Sequence, residues 1–148
     1  MTEPRNAASL TAFRWPVRVY WEDTDAGGIV FYANYLKFME RARTEWLRKA
    51  GIAQSQLKEQ SGCMFVVSAT NVQYHRPARL DDQLIITAAM EQTGRASISI
   101  AQEVFLASGA GSADAPQLLC SGQIRLGWVH AESFKPMRIP SSILEVLK

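Results

Sequence analysis

Carboxylates, adjacent glycines and the start of a long amphipathic segment lie together in Glu22-Asp23-Thr24-Asp25-Ala26-Gly27-Gly28-Ile29-Val30-Phe31-Tyr32-Ala33-Asn34-Tyr35. A helix start presents backbone N–H groups without intrahelical partners and a partial positive charge, so it can polarise a carbonyl and stabilise an oxyanion. A carboxylate held nearby can attack that carbonyl, or deprotonate a water that does. Those two parts suffice for acyl transfer. Aspartates beside glycines also fill ordinary solvated turns, and residue type and spacing alone leave both readings of Asp23 and Asp25 open.

Other chemistry is thinly represented. The chain contains no GxSxG, HExxH or Walker glycine loop, and Gly109-Ala110-Gly111 sits between strand-like segments without the third glycine of a dinucleotide loop. Cys63 and Cys120 are far apart, with no CxxC or Cys/His metal spacing, and read as reduced, partly buried thiols. His75 and His130 lack a partner at readable spacing and read as structural or rim residues. Arg76, Arg79, Lys135 and Arg138 suit the phosphates of an anionic ligand, or equally a solvated surface. Met39 and Trp46 fit a core better than a ligand cage.

The elements that must position these residues follow from periodicity. The 148 residues, 47% hydrophobic and 20% charged, fit one soluble domain. The net charge of +2 is dispersed along the chain, which argues against nucleic-acid binding. No apolar stretch is long enough to cross a bilayer, and the polar start Met1–Ser9 lacks the apolar core of a secretory signal, so a cytoplasmic protein is expected. Residues 1–12 read as a flexible segment and 13–148 as the domain.

Alternation of Phe13, Trp15, Val17, Val19 and Trp21 predicts a first strand that breaks at the glycines. Tyr35, Met39, Ala42, Trp46 and Ala50 recur at helical intervals, predicting a helix from Asn34 to Ala50. Asn34 is the expected cap, Gly51 the stop, and Glu45 with Lys49 a surface ion pair. Four strands follow, over Cys63–Tyr74, Gln83–Glu91, Ala96–Leu106 and Leu118–His130, with a hairpin turn at Thr93-Gly94-Arg95 and a loop at Ser108–Pro116. A helical turn is expected after Pro140. The class is α+β, an antiparallel sheet wrapped around one helix, with sheet edges that invite strand pairing between copies.

The run Val19-Tyr20-Trp21-Glu22-Asp23-Thr24-Asp25-Ala26-Gly27-Gly28-Ile29-Val30 resembles the active-site signature of the 4-hydroxybenzoyl-CoA thioesterase family. Phe38–Glu45 and Tyr74–Asp82 resemble its branch of Tol–Pal-associated acyl-CoA thioesterases, and the similarity spans roughly 15–140. The resemblance implies a hotdog fold, a homodimer or homotetramer with the site at a subunit interface, and neither metal nor cofactor. It places the catalytic carboxylate at Asp25, the backbone N–H that meets the thioester carbonyl at Tyr32, and substrate contacts at Gly28, Ile29 and Val30. Arg76, Arg79, Lys135 and Arg138 become candidates for coenzyme A phosphates, and Asp23 at most supports Asp25. Many members of the Tol–Pal branch carry histidine at Tyr32, whereas the hydroxybenzoyl-CoA enzyme has tyrosine. A backbone contact survives that exchange, while a histidine's help in activating water does not.

The expected reaction is hydrolysis of an acyl-CoA to free acid and coenzyme A. Two rivals stand beside it: a hydratase or dehydratase, which wants a histidine that the motif loop lacks, and a non-catalytic module binding acyl-CoA or a protein at the cell envelope.

Overall fold

The computed structural model describes residues 12–107 and 116–148. The expectations for the N-terminal segment, apart from Ala12, and for Gly109-Ala110-Gly111 lie outside them.

The strands are β1 (Phe13–Arg18), β2 (Cys63–Tyr74), β3 (Gln83–Thr93), β4 (Ser97–Leu106) and β5 (Gln117–His130). They form one sheet in the order β1-β3-β4-β5-β2, and every neighbouring pair is antiparallel. β1 and β2 are therefore the edges. The helices are α1 (Asn34–Lys49), α2 (Gln54–Ser61) and α3 (Ser141–Leu147).

α1 lies on the sheet because its repeat puts Tyr35, Phe38, Met39, Ala42 and Leu47 on one buried face. Opposite them the alternating residues of the sheet, among them Leu84, Ile86, Ile98, Ile100, Ile124 and Trp128, are buried as well. The approach is close: a Cβ at Gly122 would meet Met39 Cε at 3.0 Å. One polar knot crosses this interior. Gln102, fully buried, donates its amide to the carbonyls of Met39 on α1 and Thr87 on β3, at 3.0 and 3.2 Å. Its own carbonyl oxygen accepts Arg43 Nη1 at 2.9 Å, and burial pulls the Arg43 guanidinium below its ordinary pKa.

Several local expectations give way. β1 ends at Arg18, and Trp21 opens a 3₁₀ turn over Trp21–Asp23 and is 79% exposed instead of continuing the buried face. Asn34 is the first helical residue and does not cap; its side chain is engaged elsewhere, as described below. Gly51 ends the helix with φ +91°, a conformation open to glycine. Glu45 pairs with Arg48 at 2.6 Å, one residue short of Lys49, whose ammonium lies 5.7 Å from the Phe13 ring centre. α2 is an unpredicted helix. Its sequence, QSQLKEQS, has only Leu57 to pack, so it carries no apolar stripe to read.

Antiparallel order gives the sheet two ends. At one, β1 finishes at Arg18, β2 at Tyr74 and β4 at Leu106, while β3 and β5 begin. At the other lie Cys63, Thr93, Ser97 and His130. The glycine-bearing loop and the start of α1 belong to the first.

Candidate active site

The segment 19–35 is a folded loop whose two arms run side by side. Thr24 and Val30 pair as an antiparallel bridge, Asp25 N–H donates to Ile29 O at 2.9 Å, and Phe31 N–H donates to Asp23 O at 2.9 Å. The turn closes with Gly28 N–H on Asp25 O, and Gly28 takes φ +82°, which glycine adopts without strain. A second layer of bonds docks the loop on the β2–β3 connection: Val30 N–H donates to Ala78 O at 2.9 Å, and Ile29 bridges Arg79. The Ala78 N–H in turn donates to the Tyr35 hydroxyl at 3.0 Å.

Within this frame the two aspartates separate. Asp23 is 7% exposed, and its Oδ2 accepts the Tyr20 N–H at 2.9 Å. Its carbonyl takes both Phe31 N–H and the Asn34 side-chain amide, the latter at 2.8 Å. Asp23 is thus a structural clasp between the 3₁₀ turn and the helix start. Asp25 is exposed, and its Oδ1 accepts the Gly27 N–H at 2.8 Å. Its Oδ2 accepts no hydrogen bond among the described residues.

The other arm runs into α1. Among the described residues the N–H groups of Tyr32 and Ala33 have no acceptor. Their peptide units are nevertheless held from behind. Phe31 O, in the unit that carries the Tyr32 N–H, accepts Asn34 N–H at 2.8 Å. Tyr32 O, in the unit that carries the Ala33 N–H, accepts the Tyr74 hydroxyl at 2.9 Å. The Tyr74 ring contacts those of Tyr32 and Tyr35, with centroids 6.3 and 5.6 Å away. Tyr74 is about half exposed, and its partial burial, with Cys120 and Tyr32 adding to it, raises its hydroxyl pKa. Tyr74 opens the Tyr74–Asp82 run, and its role escapes local spacing because its partner is 42 residues away.

Residues 27–113 match the family model described as the Thioesterase superfamily. The acyl-CoA thioester hydrolase YbgC of Escherichia coli O6:H1 is 40% identical over 140 residues, covering 95% of this chain and 98% of that one. The acyl-CoA thioesterase YbgC of Haemophilus influenzae is 35% identical, covering 88% of this chain and 90% of its own. This chain belongs to the thioesterase superfamily. Its fold is likewise similar to a crystal structure of a 4-hydroxybenzoyl CoA thioesterase mutant complexed with 4-hydroxybenzoyl CoA, with a TM-score of 0.84 at 20% identity, over 93% of this chain and 99% of that one. The chain is a hotdog-fold enzyme that hydrolyses thioesters.

In this thioesterase the four basic residues marked for an anion fall into two pairs. Arg76 and Arg79 are exposed at the loop's own end of the sheet, Arg79 through its bridge to Ile29. Lys135 and Arg138 sit at the opposite end, since His130 N–H donates to Lys135 O and Ile139 N–H to Arg95 O. Arg138 there lines a shallow hollow of about 650 Å³ together with Gly94, Arg95 and Pro140. Eleven strand steps separate Cys63 from Tyr74, about 35 Å at ~3.3 Å each, so one protomer does not gather all four around Asp25. Val30 is 3% exposed and its N–H is already bonded, leaving Gly28 and Ile29 as the accessible members of that trio. His75 shares a hydrogen bond with Ser121 at 2.9 Å, and His130 Nδ1 accepts the N–H groups of Glu132 and Ser133, so both histidines have structural partners. The cysteines are free and both buried.

Proposed function

We propose that this thioesterase hydrolyses acyl-CoA thioesters to the free acid and coenzyme A, with Asp25 as nucleophile or general base. The observation that carries the proposal is the pair of N–H groups at Tyr32 and Ala33, which have no acceptor among the described residues. They open a sixteen-residue helix in the same loop that exposes the Asp25 carboxylate. The Tyr32 N–H would meet the thioester oxygen, and the helix start would favour the negative charge that develops there. The names of the YbgC relatives support a coenzyme A thioester as the substrate. Gly28 and Ile29 shape the approach, and Val30 anchors it.

The division of the basic residues supports a site shared by two copies. β2 is an edge strand, and Val67, Ala69, Thr70 and Asn71 along it are exposed. Two-fold antiparallel pairing of β2 edges would cover them and bring the far end of one copy's sheet to the loop end of the other's. Lys135 and Arg138 of a second copy would then join Arg76 and Arg79 around the phosphates of one coenzyme A. A homodimer, alone or within a tetramer, is accordingly part of the proposal. So is a cytoplasmic setting, where coenzyme A thioesters are made; no helix among the described residues is long and apolar enough to cross a membrane.

The test is thiol release from short-chain, long-chain and aromatic acyl-CoAs by the wild type and by Asp25→Asn. No release from any substrate, or an unchanged rate in Asp25→Asn, would end the catalytic assignment. In a single turnover in oxygen-18 water, label entering Asp25 requires a transient anhydride attacked at the aspartyl carbonyl and excludes a pure general base.

A further inference from the structure

The two peptide units that present the Tyr32 and Ala33 N–H groups are secured differently. The 31–32 unit is held by its own helix, through Asn34 N–H on Phe31 O. The 32–33 unit precedes the first helical residue, and its carbonyl is held from another element, by the hydroxyl of Tyr74 at the last position of β2. This bond crosses from an edge strand to the start of α1, and the Tyr74 ring is braced at its back by Tyr35, which is 3% exposed and itself bonded to Ala78 N–H. A hydrogen bond accepted by a peptide carbonyl polarises the N–H of the same unit and restricts rotation of its plane. The plane matters here because Tyr32 and Ala33 precede the regular helix, where no i to i−4 bond of their own N–H groups fixes it.

We infer that Tyr74 is a positioning residue for the thioester carbonyl: its hydroxyl sets the orientation of the 32–33 peptide, and through it the donor pair that receives the oxyanion. The inference rests on the proposed site and extends it, adding the Ala33 N–H, whose peptide Tyr74 holds, to the Tyr32 N–H as a second donor to the oxyanion. Tyr74 touches no reacting atom. Its contribution grows as negative charge builds on the oxygen, so it belongs to kcat more than to KM. The hydroxyl also ties the donor pair to β2, the strand offered above for pairing between copies.

The experiment compares Tyr74→Phe, Tyr35→Phe, Asp25→Asn and wild type, with benzoyl-CoA and a short-chain acyl-CoA as substrates. Tyr74→Phe keeps the ring contacts and removes one hydrogen bond; Tyr35→Phe removes a neighbouring hydroxyl from the same aromatic cluster. For Tyr74→Phe the expected result is a fall in kcat of about three- to tenfold with KM within about twofold, the size of one net hydrogen bond. Tyr35→Phe should lower the melting temperature and leave kcat within about twofold. Infrared difference spectra of benzoyl-CoA carrying a carbon-13 carbonyl, bound to the inactive Asp25→Asn protein, should show the thioester band shifting back toward its solution position when Tyr74→Phe is added. Equal kcat losses in the two tyrosine variants, tracking their melting temperatures, would reduce Tyr74 to a structural brace and overturn the inference. So would unchanged kcat and an unshifted band in Tyr74→Phe while Asp25→Asn is inactive, although the site itself would stand. Full activity in Asp25→Asn would instead remove the site on which the inference rests.

Discussion

The interior beneath α1 and the loop at its start are held by different forces. The interior is largely apolar and closed: Phe38, Met39, Ile100, Ile124 and Trp128 are at most 1% exposed, and the polar knot of Arg43, Gln102 and two backbone carbonyls is hydrogen-bonded within itself. The loop is nearly the reverse. Trp21, Tyr20 and Tyr32 are 79, 64 and 64% exposed, and main-chain bonds from Asp25 to Ile29, Phe31 to Asp23 and Val30 to Ala78 hold it in shape. Backbone tethering leaves side chains free to meet a substrate, whereas burial commits them to stability. Changes in one region should therefore alter rate without stability, and changes in the other should do the opposite.

The widest separation is expected at Asp25. Asp25→Asn should lower kcat/KM by about 10²- to 10⁴-fold, the range of a positioned acid or base, while the denaturant midpoint stays within error of wild type. The opposite extreme is Phe38→Ala, which empties a fully buried ring site beneath the helix. It should cost about 3–5 kcal/mol of unfolding free energy, read from denaturant titration, with near-normal turnover in the molecules that remain folded. Gln102→Ala tests whether the polar knot behaves as core. It removes the acceptor of Arg43 Nη1 and one donor to each of the Met39 and Thr87 carbonyls, and a loss of about 2–3 kcal/mol is expected from the same titration.

Gly27→Ala sharpens the contrast within the loop, because its Cβ would stand 3.2 Å from Asp25 Oδ1 and crowd the carboxylate. A rate loss of about three- to tenfold with stability changed by less than about 1 kcal/mol is expected; equal losses of both would show that the loop is load-sharing with the core. The smallest effect concerns Cys120, whose thiol burial pushes up to about 12 from an ordinary 9.0. The folded state then holds a proton that the unfolded chain releases, so this stabilisation is complete below about pH 9 and is lost as pH rises toward 12. Native protein at pH 8 should accordingly give almost no thiol reaction at Cys120, with reaction recovered after unfolding.

Much of the architecture was legible because it is local. The spacing of Tyr35, Met39 and Ala42 marked α1 to within a residue of its ends, and all five strands were read in place, β1, β3 and β4 from alternation. α2 escaped because one buried leucine makes no pattern, and Trp21 misled because the alternation of β1 extends past Arg18 into a turn. At the site, residue types marked the loop that carries Asp23, Asp25 and the glycines without choosing between the aspartates, and resemblance to a family pointed to Asp25 and the Tyr32 N–H. Neither signalled Tyr74, or the use of Asn34 on a carbonyl instead of as a cap, since both bonds join residues remote in the chain.

By itself the sequence determined the classes of element, the faces they bury and the loop that bears a carboxylate, because periodicity and glycine chemistry act over a few neighbouring residues. Only the tertiary structure decided that Asp23 is a clasp while Asp25 is exposed, that Tyr74 reaches the 32–33 peptide, and that Lys135 and Arg138 lie at the opposite end of the sheet from Arg76 and Arg79. Those outcomes depend on which strands pair and in which register, and antiparallel order alone carries one end of β5 a full strand length from the other.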